Sequence, residues 1–149
     1  MPVPEVHACC DRDRITTLVH RLGAALDEGR FEDLRPLLTE DAAAHTPGGV
    51  AAGIDALVAQ AARNHAPGDG IQHVISNVLV GLDGDRAQVR ANLVATFARQ
   101  APDPDRPVTL GAVYRFEARR TAAGWRLTSV RSTPVWSSFA PVGRFSAAR

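Results

Sequence analysis

Residues 87–97 of the chain, AQVRANLVATF, alternate between apolar and polar side chains at every position except 94. Successive side chains of a strand point to opposite faces, so this stretch predicts a strand with one buried face and one solvated face. It follows the dipeptide Asp83-Gly84, and residues 72–82 before that turn are rich in Val, Ile and Leu. Asp-Gly between two such runs is typical of a tight hairpin. The two runs therefore predict neighbouring antiparallel strands.

The pattern of the hairpin continues through the second half of the chain. A polar, proline-rich turn at residues 101–107 leads to another alternating segment, residues 108–118. A second tight turn at residues 121–124 starts a last strand, from Trp125 to about Thr133. These segments predict a meander of four antiparallel strands.

The first half of the chain has a helical period instead. Between Ile15 and Leu26, apolar residues recur at three-and-four spacing, which predicts an amphipathic helix with Asp11 or Asp13 as its N-cap and Gly29 as its stop. A shorter helical piece is expected at residues 31–38.

A short strand at residues 41–46 and a third helix complete the predicted elements. The helix begins near Gly53 and ends before Pro67. Helices followed by a meander predict an α+β domain, in which a curved antiparallel sheet is covered on one face by helices.

Length and composition fit one ordinary globular domain. The chain has 149 residues, of which 45% are hydrophobic and 22% charged, with a formal net charge of +1. We expect a flexible N-terminal arm (residues 1–10), a single domain (residues 11–136) and a C-terminal tail that is partly disordered (residues 137–149). Nothing in the charge balance favours nucleic acid as a partner.

Several chemistries and locations are excluded by residues that the chain lacks. All 17 basic residues are arginines, so no lysine can form a Schiff base, anchor pyridoxal phosphate or serve a P-loop. The adjacent Cys9 and Cys10, with His7 nearby, have no second ligand cluster, and we expect no metal site and no cofactor. No apolar run reaches the ~20 residues of a membrane helix, and residues 1–14 lack the apolar stretch of a secretory signal. We therefore expect a cytoplasmic protein.

Four short segments, taken in order, resemble one known family. They are ALDEGRFEDL at residues 25–34, QHVISN at 72–77, DGDRA at 83–87 and GWRL at 124–127. Together they resemble the SnoaL-like group of the nuclear-transport-factor-2-like superfamily, over roughly residues 11–136. The resemblance implies a cone-shaped, cystatin-like α+β barrel, in which a curved sheet wraps around the N-terminal helices and encloses a deep apolar pocket. It also implies a homodimer packed through the outer face of the sheet.

The same resemblance leaves two classes of function open, because this superfamily includes polyketide cyclases, scytalone dehydratase, ketosteroid isomerase and epoxide hydrolases as well as members without catalytic activity. The first is a cofactor-independent cyclase, isomerase or dehydratase acting on a small, apolar, carbonyl-containing metabolite of polyketide type. The second is a non-catalytic module that binds a small molecule or mediates dimerisation. A fold alone does not decide between them.

Asp27 and His73 are the candidate catalytic residues. The resemblance places them where scytalone dehydratase has an aspartate and one of its two catalytic histidines. A carboxylate next to an imidazole fixes its tautomer, and such a pair can move a proton next to a carbonyl. The macrodipole disfavours an aspartate in the last turn of a helix, so a partner such as His73 offsets that cost. A solvated helix end for Asp27, and a core histidine bonded to backbone for His73, remain the alternatives.

Six further residues are candidates for contact with substrate: His45, Asn77, Tyr114, Ala91, Ala112 and Trp125. Asn77 shares the strand face of His73 by period two, and Tyr114 lies on an apolar face. Ala91 and Ala112 align where the dehydratase has its second histidine and ketosteroid isomerase its protonated aspartate, so neither complete catalytic set is present. A surface position for His45 and simple packing for Tyr114 and Trp125 are the alternatives. His65, at a predicted helix end, is assigned no chemistry.

Overall fold

The computed structural model describes residues 4–66, 68, 70–98, 105 and 107–138. Its elements are helix α1 (Pro4–Asp27), a 3₁₀ helix (Phe31–Leu37), strands β1 (Leu38–Thr46) and β2 (Gly49–Ala52), helix α2 (Ile54–Asn64), and strands β3 (Ile71–Asp83), β4 (Arg86–Phe97), β5 (Val108–Thr121) and β6 (Gly124–Ser137). Within these ranges, no helix combines the length and the apolar character needed to cross a membrane.

The six strands form one open sheet in the order β2-β1-β6-β5-β4-β3. Strands β3 to β6 form the predicted antiparallel meander, and the α+β fold class is confirmed. One pair departs from the expected antiparallel arrangement, because β1 lies parallel to β6. Strand β2 was not predicted, since four residues are too few to show a period.

The core lies between the helices and the inner face of the sheet. On β4, the apolar residues that the sequence pattern placed on the inner face are the ones that are buried: Ala87, Val89, Ala91, Leu93 and Ala95. The buried apolar residues of α1 and α2 belong to the same core. Burying each large apolar side chain contributes ~1.5–3 kcal/mol, so this shared core mainly holds the helices to the sheet.

Helix α1 begins earlier than the sequence predicted. It starts at Pro4, so residues 4–10 of the predicted flexible arm are helical and neither Asp11 nor Asp13 is its N-cap. Asp11 is buried in the helix, where its carboxylate accepts hydrogen bonds from Arg120 and Trp125. Because these distant residues bind the Asp11 carboxylate, it does not cap the helix, and the helix continues through Asp11.

At the other end of the chain, β6 includes Ser137, the first residue of the predicted tail. Residues 139–149 of that tail, like residues 1–3 of the arm, lie outside the described part of the chain.

A bulge changes the face of β3 along its length. The pairing of β3 with β4 shifts between Ser76 and Leu79, and Asn77 has a positive φ of 54°. Asparagine tolerates this left-handed conformation better than most residues. Before the bulge, the odd-numbered residues of β3 face the core, and beyond it the even-numbered residues do. A residue beyond the bulge that is an even number of positions from His73 therefore lies on the opposite face of the sheet.

Candidate active site

Helix α1 and strand β3 bring Asp27 and His73 into contact. The His73 ring nitrogen Nδ1 lies 2.6 Å from Oδ1 of Asp27, and the His73 backbone N–H donates to the same oxygen at 2.9 Å. The His73 side chain is only 3% exposed and that of Asp27 is 23% exposed. The ring of His73 is therefore bonded to a carboxylate, and not to a backbone carbonyl as the alternative interpretation required.

Gly23 allows the two elements to approach each other. It lies one helical turn before Asp27, on the same face of α1. A Cβ atom at position 23 would lie 2.9 Å from Cδ1 of Ile75 and 3.8 Å from Cβ of His73. A larger side chain there would push β3 away from α1, so Gly23 helps to set the short distance between Asp27 and His73.

The contact with Asp27 determines which nitrogen of His73 is free. An ionised carboxylate only accepts hydrogen bonds, so Nδ1 carries the proton and Nε2 keeps its lone pair. If Nε2 takes up a second proton, Asp27 balances the positive charge. The pair can therefore accept a proton and return it, as a general base and acid must.

His73 lies in the wall of a cavity of about 460 Å³ between the C-terminal end of α2 and the sheet. Strands β4 and β5 give this cavity apolar side chains, including Leu93, Phe97 and Leu110. The volume is within the range of sites for small metabolites. Asp27 itself lines a neighbouring cleft of about 340 Å³, so the carboxylate lies on the outer side of the imidazole.

Tyr114 supplies a polar group to the same cavity. It is 4% exposed, and its hydroxyl makes no hydrogen bond with any residue in the described ranges. Burial, and to a lesser degree the charge of Asp27, raises the pKa of Tyr114 above its ordinary value of 10.0. The hydroxyl therefore remains protonated and can donate a hydrogen bond to a ligand.

His65 was assigned no chemistry from the sequence, yet it lines this cavity as well. Its ring centroid lies 5.3 Å from that of His73 and 6.3 Å from that of Phe97. Burial lowers the pKa of His65, and the neighbouring His73 lowers it further, although the Ala61 carbonyl and Asp27 oppose these effects. The imidazole is therefore neutral at pH 7. The contact joins the end of α2 to β3 across the core, and no local spacing in the sequence signals it.

Two of the predicted substrate contacts lie on the wrong face. Asn77 is exposed, because the bulge in β3 turns its side chain away from the face of His73. His45 pairs with Val50 and Arg131 on the face opposite the buried Ala44. Its neighbour Thr46, one position along β1, is the residue that lines the cavity.

Three further predicted contacts are buried but do not line the cavity. Trp125 is occupied elsewhere, since its Nε1 donates to Oδ1 of Asp11 at 3.0 Å. Ala91 and Ala112 lie on the inner face of the sheet, paired with Tyr114 and Leu93. Those larger partners line the cavity in their place.

No group of three or more His, Cys, Asp or Glu side chains in the described ranges is arranged to hold a metal ion. Cys9 and Cys10 are free and exposed on α1.

The sequence model of the SnoaL-like domain matches residues 7–131, most of the chain. The chain belongs to the SnoaL-like family. No match is found among curated proteins.

Solved structures with the same fold are numerous. The SnoaL-like chain is 26% identical to a nuclear-transport-factor-2-like protein with a cystatin-like fold from Novosphingobium aromaticivorans, with a TM-score of 0.77 over 94% of this chain and 90% of that one. A protein from the same species, proposed to be a scytalone dehydratase, is 17% identical, with a TM-score of 0.76 over 92% and 90%. A hexachlorocyclohexane dehydrochlorinase from Novosphingobium barchaimii is 15% identical, with a TM-score of 0.80 over 92% and 99%. These likenesses confirm the cone-shaped fold.

Proposed function

We propose that this SnoaL-like protein is a cofactor-independent enzyme of the lyase or isomerase type. It removes a proton from the carbon next to the carbonyl group of a small, apolar metabolite. The observation that carries the proposal is the Asp27–His73 pair, whose imidazole lies in the wall of an apolar cavity. Intermediates of polyketide type, which are apolar and rich in carbonyl groups, fit such a cavity.

Each group of the site has a defined role in this proposal. Nε2 of His73 takes the proton, the electron pair of the C–H bond forms an enolate, and Asp27 holds the imidazolium that results. Tyr114 donates a hydrogen bond to the carbonyl oxygen as negative charge develops on it. A positioned base contributes ~10²–10⁴-fold to the rate, and a donor aimed at the oxygen a further ~10²-fold.

Two of the structural neighbours support this class of chemistry. A dehydratase and a dehydrochlorinase are both, by name, enzymes of elimination. An elimination next to an activating group begins with, or includes, removal of a proton from carbon. The pair of Asp27 and His73 is suited to that step.

The test is proton exchange on a simple ketone. Benzylacetone is small and apolar, and the exchange of its α-protons in deuterium oxide can be followed by NMR. We expect the wild-type protein to catalyse exchange and His73→Ala to reduce the rate by about 10²-fold or more. His20→Ala is the matched control, because His20 is exposed on α1. Equal rates for wild type and His73→Ala, with both proteins folded by circular dichroism, would refute the proposal.

The same experiment distinguishes the non-catalytic alternative. A binding module would show changes in the protein NMR spectrum when benzylacetone is added, but no exchange of the ketone above the buffer rate.

A further inference from the structure

We infer that His65 is a second functional imidazole of the cavity, which accepts a hydrogen bond from a hydroxyl group of the substrate. The substrate that these groups favour is a carbonyl compound that also carries a hydroxyl group. Tyr114 donates a hydrogen bond to its carbonyl oxygen, and His65 accepts one from its hydroxyl. This inference rests on the proposed function and adds a residue that determines which carbonyl compounds are bound.

The C-terminal end of α2 fixes the orientation of the His65 ring. Nδ1 of His65 lies 2.9 Å from the carbonyl oxygen of Ala61, one turn earlier, and the His65 backbone N–H donates to the same oxygen at 3.0 Å. A carbonyl oxygen only accepts hydrogen bonds, so Nδ1 carries the proton. Nε2 is therefore left with a lone pair and can only accept.

Among the described residues, none donates a hydrogen bond to Nε2 of His65. Because burial and His73 keep the ring neutral, the acceptor persists at neutral pH. His65 lines the cavity, so a ligand bound there can supply the donor that this acceptor lacks.

The position of His65 determines which part of a substrate it can reach. Its ring is 5.3 Å from the ring of His73, and both rings line the cavity that holds the Tyr114 hydroxyl. A carbonyl oxygen cannot donate to Nε2, whereas a hydroxyl group can. A ligand whose α-carbon faces His73 therefore places a hydroxyl on a nearby carbon against His65. The Tyr114 hydroxyl and Nε2 of His65 thus give the cavity a donor for a carbonyl and an acceptor for a hydroxyl of the same molecule.

Two ketones that differ by one hydroxyl group test this inference. The aldol adduct of benzaldehyde and acetone carries a hydroxyl on the carbon β to its carbonyl, and benzylacetone lacks it. The rate of α-proton loss gives KM for each ketone. In the wild-type protein, we expect the KM of the adduct to be about tenfold lower, the effect of one net hydrogen bond. In His65→Phe, which keeps a ring but no nitrogen, the two KM values should become equal.

Two further variants complete the design. His65→Gln, whose amide oxygen can accept near the position of Nε2, should recover part of the tenfold preference. His20→Phe, an exposed histidine given the same change, should keep all of it. A preference that survives in His65→Phe would overturn the inference while leaving the proposed function in place.

A spectroscopic measurement on the wild-type protein does not depend on turnover or on the folding of a variant. The NMR chemical shift of the His65 Nε2 nitrogen should move when the aldol adduct is added, because that nitrogen gains a hydrogen bond, and it should not move with benzylacetone. Failure of the proposed function appears as the absence of proton exchange. Failure of this inference appears as an Nε2 shift that is the same with both ketones.

Discussion

At the scale of single residues, removing the Tyr114 hydroxyl tests whether this group serves catalysis or the stability of the fold. It is buried and makes no hydrogen bond within the described part of the chain, so its removal breaks no interaction of the protein. We predict that Tyr114→Phe changes the free energy of unfolding by less than ~0.5 kcal/mol, since no hydrogen bond between described residues is lost. The exchange rate of benzylacetone should fall by about 10²-fold, because the donor to the carbonyl oxygen is lost.

Urea unfolding and the NMR exchange assay measure the two effects independently. Phe116→Leu, a change to the buried ring packed against Tyr114, is the matched control for packing. It should reduce stability by ~1 kcal/mol or more through the smaller side chain. A loss of more than about 1 kcal/mol in Tyr114→Phe would show that the hydroxyl has a partner in the folded protein, contrary to the role given to it here.

How far individual site residues could be predicted depends on what positions them. The juxtaposition of Asp27 and His73 was expected from a family resemblance, and the geometry brings the two side chains together. Asn77 was expected on the same face, but a single bulge after Ser76 reverses the parity of β3. His65 gave no signal, since its place beside His73 results from the docking of α2 on the sheet and not from any local pattern.

At the scale of secondary-structure elements, Asp11 joins helix α1 to strands β5 and β6. Its carboxylate accepts from Nη2 of Arg120 at 2.6 Å and from Nε1 of Trp125 at 3.0 Å. Asp11→Asn keeps an oxygen for the indole but places an amide against the guanidinium. We predict a loss of about 1–3 kcal/mol in the free energy of unfolding at pH 7, as for other charge-assisted hydrogen bonds removed from buried positions. Asp13→Asn, an exposed change two residues away, is the control and should have little effect.

The pH dependence of this loss has a definite sign. The hydrogen bonds from Arg120 and Trp125 lower the pKa of Asp11 below its ordinary value of 3.8. The folded protein therefore releases the Asp11 proton more readily than the unfolded chain, and the stabilisation is fully present above pH 3.8 and is lost as the pH falls through the lowered pKa. The difference in unfolding free energy between wild type and Asp11→Asn should narrow in acid. A difference that stays constant from neutral pH into acid would contradict this role of Asp11.

The elements themselves were predictable where the sequence carries a period. Alternation located β4 and β5, and three-and-four spacing located α1 and α2, because each buries one face against the core. The start of α1 was wrong by several residues, since Asp11 was read as a cap when its carboxylate is used by distant strands. The parallel pairing of β1 with β6 depends on how the whole chain closes, and no segment of the sequence encodes it alone.

At the scale of the whole molecule, the outer face of the sheet has an apolar row of residues and a positively charged row. One register row carries Val74, Val94 and Gly111, with the exposed indole of Trp136 lying across the glycine. Another row carries Arg90, Arg115 and Arg131 side by side on three strands. Exposed apolar side chains that adjoin one another are typical of a contact surface, whereas adjacent like charges oppose one.

We propose that two copies of the chain associate through the apolar row of this outer face. Val94 lies in the middle of the row, so Val94→Arg would add a charge to each copy where the contact excludes water. We predict that the wild-type protein sediments as a dimer at micromolar concentration, and that Val94→Arg weakens the dimer by about 10²-fold or more, the effect of several kcal/mol of like-charge repulsion and lost burial. Val50→Arg is the matched control, because Val50 is also exposed to solvent but lies on β2, at the opposite edge of the sheet. Sedimentation equilibrium with all three proteins measures the effect. A wild-type monomer, or equal weakening by both substitutions, would exclude association through this row, while leaving the cavity and its chemistry unaffected.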